Sequence, residues 1–87
     1  QLRWGDALSN YVAAVGILAR KGMRLDWARA LQEWAGAHVA RGGPADYERA
    51  KALYREALTI FKEMEAESYV NMIEERLQDL GTPEVEI

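Results

Sequence analysis

The residue with the widest chemical repertoire in this sequence is its single histidine, His38. An imidazole serves as a general base or metal ligand only with a substrate pocket, an orienting partner or further ligands at matching spacing. Glu33 stands on a different face of any helix that carries His38, so zinc lacks a ligand set. His38 instead shares a helical stripe with Trp27, Leu31, Trp34 and Ala35, which predicts a partly buried, hydrogen-bonded side chain. Carboxylates gather at Glu63, Glu65 and Glu67 and again at Glu74, Glu75 and Asp79. Acid–base work or calcium binding would need a buried pair or a loop of fixed spacing. On helices among polar neighbours these acids read as solvated faces. With no cysteine in the chain, thiolate chemistry and disulfides are excluded. A chain without enzyme activity, metal or cofactor is expected.

The three tryptophans, Trp4, Trp27 and Trp34, are the other conspicuous side chains. Trp4 and Trp27 read as packing residues, while Trp34 lies at the edge of the apolar stripe.

Those residues need elements to hold them, and the bulk numbers bound what elements there are. Eighty-seven residues allow one small domain, and 49% hydrophobic residues suit a globular chain. A net charge of −3 argues against nucleic acid or an anionic membrane as the main partner. The longest apolar run, Val12 to Ala19, is too short to span a bilayer. No secretion leader is visible, and a cytoplasmic setting is expected. Gln1 rather than Met opens the sequence, as in a piece of a longer polypeptide or a processed chain.

Gly22 after Arg20-Lys21, Gly42-Gly43-Pro44, and Gly81 before Pro83 are helix-stop signals. They predict helices over 3–21, 25–41, 45–64 and 67–80, with a tail at 81–87. In the third, Tyr47, Ala50, Tyr54, Ala57, Leu58, Phe61 and Met64 recur at three- and four-residue steps, with Asp46 at the helix start. No stretch alternates with period two. The fold class is therefore all-α, with antiparallel neighbours joined by short turns.

A shift of 43 positions lays the first helix on the third. Trp4 meets Tyr47, Ala7 meets Ala50, Tyr11 meets Tyr54, Ala14 meets Ala57 and Ile17 meets Ile60. The second and fourth helices match by residue type after a one-residue slip, Trp27 with Tyr69 and Leu31 with Ile73. Such a period marks a stacked helical repeat.

The run Tyr47-x-x-Ala50-x-x-x-Tyr54-x-x-Ala57-Leu58 resembles the second helix of a tetratricopeptide (TPR) repeat, with Gly36 and Val39 similar to the first-helix glycine and its following large residue. Gln32 and Ala35 replace the usual tryptophan–leucine pair, and the period exceeds the usual ~34, a length that also suits HEAT or armadillo repeats. The segments 22–31 and 54–64 are similar to the long-repeat TPR arrays at the C-terminal end of bacterial LuxR/MalT-like or ATPase- and cyclase-coupled regulators. The resemblance implies a helix-pair solenoid that begins on a second helix, contains one full pair and ends on a polar capping helix. It also implies a concave face on which Glu33, Trp34, Ala37 and Arg41 would be exposed together as a partner-binding hot spot. The basic positions of a carboxylate clamp have no counterpart.

The expected function is a protein or peptide interaction scaffold. Two alternatives stay open: self-association, or a small-molecule sensor with its ligand near Trp34 and His38. For self-association the expected surface is the first helix, through Trp4, Leu8, Val12 and Val15. A basic front end with Arg20, Lys21 and Arg24 would there meet the acidic residues of 63–87.

Overall fold

A computed structural model describes residues 3–81 and shows four helices: α1 (Trp4–Arg20), α2 (Arg24–Arg41), α3 (Pro44–Glu63) and α4 (Glu67–Asp79). No strand occurs among the described residues. Successive helices pack on one another, and the molecule is flattened to 41 × 34 × 16 Å. Pairing across the turns shows the antiparallel sense. Arg24 at the start of α2 meets Glu63 at the end of α3, and His38 near the end of α2 meets Asp46 near the start of α3.

Each break follows from its residues. Gly42 takes a left-handed φ of 82° and closes α2 through a hydrogen bond from its N–H to the His38 carbonyl. Pro44 then occupies the first turn of α3, where its missing N–H would have found no partner in any case. The α1–α2 turn ends α1 with two bonds, Met23 N–H to Leu18 O at 3.0 Å and Gly22 N–H to Ala19 O at 3.2 Å. The α3–α4 turn repeats them, with Ala66 N–H to Phe61 O at 2.9 Å and Glu65 N–H to Lys62 O at 3.0 Å. Gly22 (φ 70°) and Glu65 (φ 58°) hold the same left-handed position, and Met23 (ψ 78°) and Ala66 (ψ 77°) the same entry to the next helix.

The backbone therefore carries the 43-residue repeat through both turns. Arg24 falls on Glu67 and Trp27 on Val70, so the slip that residue types demanded is absent from the structure. Similar side chains invite a match one residue out of register; turn geometry does not allow it.

Burial is concentrated in one pair. Among the described residues, Ala28, Leu31, Ala35 and His38 of α2 and Asp46, Ala50, Tyr54, Ala57, Ile60 and Phe61 of α3 are buried, joined only by Ile73 of α4. Ala28, Ala35, Ala50 and Ala57 have no accessible surface, and such small side chains let helix backbones approach closely. Phe61, Leu31 and Ile73 fill the remaining space, each worth roughly 1.5–3 kcal/mol of transfer free energy. Phe61 also stacks on Tyr69 with ring centroids 4.5 Å apart, which fastens α4. No residue of α1 is buried.

Candidate functional site

His38 has the orienting partner that its own helix could not supply. Asp46, across the Gly42–Pro44 turn, places Oδ1 2.9 Å from His38 Nδ1 and accepts a 3.1 Å hydrogen bond from the Gly43 N–H through Oδ2. The hydrogen bond with His38 holds the Asp46 carboxyl below its ordinary 3.8, helped by Gly43 and Arg41 and opposed by burial. An aspartate–imidazole pair of this kind could orient a general base. The other ring nitrogen, Nε2, is however buried without a partner, and Trp4 packs edge-on against the ring at 4.9 Å. In this structure Nε2 is shielded, and the pair links α2 to α3 as a polar clasp.

Arg41 extends the clasp to α1. Its guanidinium lies 4.7 Å from the centre of the Trp4 ring and 3.9 Å from the Asp46 carboxylate. Among the described residues no three His, Cys, Asp or Glu side chains gather as a metal site would require. None of the described helices is long and apolar enough to cross a membrane.

A groove of about 460 Å³ runs between α2 and α4. Gln32, Glu33, Gly36 and Val39 form one wall, Arg76, Asp79 and Leu80 the other, and Tyr54 of α3 lies between them. Burial pushes the Tyr54 phenol above its ordinary 10.0, against a smaller opposite pull from Arg76, so the hydroxyl stays protonated at neutral pH. Gly36 keeps the wall low: a β-carbon there would already stand 3.9 Å from the Tyr54 oxygen. The groove thus offers donors and acceptors of both charge signs beside an aliphatic edge.

Of the four residues expected on one face, Glu33 alone lines this groove. Ala37 and Arg41 face a shallow cleft with Arg3, just before α1, and with Trp4 and Ala7 of α1. Trp34 is half-buried and stacks on Tyr11 with ring centroids 6.4 Å apart. Helical rotation divides the four, because α2 has a neighbour on each flank. Trp34 and His38 do share a cleft of about 380 Å³ with Glu48, Arg49, Ala52 and Leu53, and it is open rather than enclosed.

The surface expected for self-association is rearranged as well. Trp4 is engaged by His38 and Arg41, Val15 packs against the core, and Leu8 is half-buried. Val12 and Ile17 are the large α1 residues left open, 52% and 45% exposed. Arg20 and Lys21 are exposed, whereas Arg24 already pairs within the chain with Glu63. Sequence reasoning missed Asp46, Tyr54 and Arg76 as site residues because each acts from another helix. The glycine turn that brings Asp46 back to His38 was the one available signal.

No protein-family model, curated protein or solved structure matches the chain.

Proposed function

We propose that this chain is a non-catalytic interaction scaffold that receives a peptide or protein segment in the groove between α2 and α4. The observation that carries the reading is the groove itself: open, walled by two helices, lined by polar groups of both charge signs, and bordered by Gly36, which puts no side chain into it. Burial of His38 Nε2 argues against a catalytic alternative. The resemblance to TPR arrays extends the proposal: the chain would belong to the array of a larger bacterial signalling regulator, acting in the cytoplasm, and partner capture would control the attached effector.

A peptide library displayed against the purified chain tests the groove. Selected peptides should lose at least about tenfold in affinity for a Gly36→Leu variant, whose side chain fills the space beside Tyr54. That variant should stay folded, since leucine favours the helix and has open groove before it. Peptides that bind both forms equally, or failure to select any, would sink the reading.

A further inference from the structure

The internal repeat specifies what would fit beside α1. On α3 the stripe between the two residues that pair with α2 runs Asp46, Ala50, Leu53, Ala57, Ile60 and Glu63, alternating four- and three-residue steps before the last. Its charged ends engage His38 and Arg24 of α2. The same positions are Arg3, just before α1, and Ala7, Asn10, Ala14, Ile17 and Arg20 on it; Arg3 and Ala7 border the shallow cleft with α2, but no described helix covers the stripe as α2 covers α3. Ile60 is 5% exposed and its counterpart Ile17 is 45% exposed. Both end charges are inverted, acid on α3 and base on α1. Asp6, which stands where α3 has Arg49, inverts a third position.

Other equivalent positions add to the contrast. Where α3 shows Lys51, Arg55, Glu56 and Lys62, α1 has Leu8, Val12, Ala13 and Ala19. A helix apolar on so many sides is one built to be covered.

We propose that the α1 stripe docks an amphipathic helix of defined chemistry. By analogy with Arg24, Ala28, Leu31, Ala35 and His38 of α2, the occupant presents a small–large–small apolar stripe between two carboxylates. Those carboxylates stand fourteen positions apart, about 21 Å along a helix, and reach Arg20 and Arg3. A second copy stacking head to tail does not fit. In the common register α4 offers Asn71, Glu74 and Gln78, all exposed, where α2 has Ala28, Leu31 and Ala35. This surface is separate from the α2–α4 groove, so either site can fail without the other.

The test uses the full chain, isotope-labelled, and a synthetic peptide of its own residues 22–43 carrying Arg24→Glu and His38→Glu. Resonances of the α1 stripe should shift, and this peptide should bind at least about tenfold more tightly than the unsubstituted one. The Arg3→Glu/Arg20→Glu chain should reverse that preference, and Ile17→Asp, a change at an exposed position, should abolish binding without unfolding the chain. Three results would overturn the proposal: no saturable binding, equal binding of both peptides, or shifts confined to α3 and α4. Dimerisation of the chain through the α1 stripe, to the exclusion of the peptide, would do so too.

Discussion

α3 buries six of its residues and α1 buries none, although a shift of 43 positions lays one helix on the other. Alanines, tyrosines and isoleucines recur at the same places in both. The difference lies in the neighbours: α3 is held between α2 and α4, while α1 has α2 on one side alone. Burial is thus a property of the assembly, and equal amphipathic patterns can end in unequal stability. α1 compensates in part through aromatic and cation–π contacts at its start and middle, Trp4 with His38 and Arg41 and Tyr11 with Trp34. Such contacts contribute less than a packed core.

The equivalent isoleucines give the sharpest way to break this comparison. Ile60→Ala should lower stability by about 2–4 kcal/mol, whereas Ile17→Ala should stay within about 0.5 kcal/mol. Urea titrations of both variants measure the gap; equal losses would mean that α1 is as well covered as α3.

A second effect, smaller, concerns the clasp that α1 lacks at its own Arg3. Asp46 is held below its ordinary 3.8 chiefly by the His38 hydrogen bond, so folding favours its ionised form. Its contribution is complete above the unfolded value and is lost as pH falls through the lower folded value. Wild type should therefore exceed Asp46→Asn in denaturation midpoint at pH 5, and the gap should shrink towards pH 2. A gap that does not depend on pH would show that the carboxylate charge contributes nothing to the clasp.

The smallest expected change sits at the turns. Gly22 and Glu65 occupy the same left-handed position, which costs a non-glycine residue about 1 kcal/mol. Glu65→Gly should raise stability by roughly 0.5 kcal/mol after the added freedom of the unfolded chain is subtracted. Thermal melts of the variant would show an increase of a few degrees, and a decrease would mean that the Glu65 side chain makes a contact worth more than the strain.

Much of this architecture was legible beforehand, because helix breaks are local. Gly22, Gly42, Pro44 and Gly81 stop or start helices through their own backbone preferences, and three- and four-residue apolar spacing needs no knowledge of neighbours. The repeat was legible too, although residue types misplaced its second half by one position. Side-chain similarity is blind to the turn bonds that set the register.

Which face of each helix is used could be read less well. Glu33, Trp34, Ala37 and Arg41 lie within two helical turns, yet neighbours on both flanks of α2 send them to different surfaces. Trp4 packs against His38 and Arg41, and Val15, considered for an open self-association surface, packs against the core, while Ile17 remains open. α1 is apolar on so many sides that periodicity alone could not choose one.

By itself, then, the sequence determined four helices, their breaks and a repeat of 43, since each rests on interactions between residues near in the chain. Only the tertiary structure decided that Asp46 reaches His38, that Tyr54 and Arg76 share a groove, and that Ile60 is covered while Ile17 is not. Those outcomes depend on which helix lies alongside, a question that spacing within one helix does not answer.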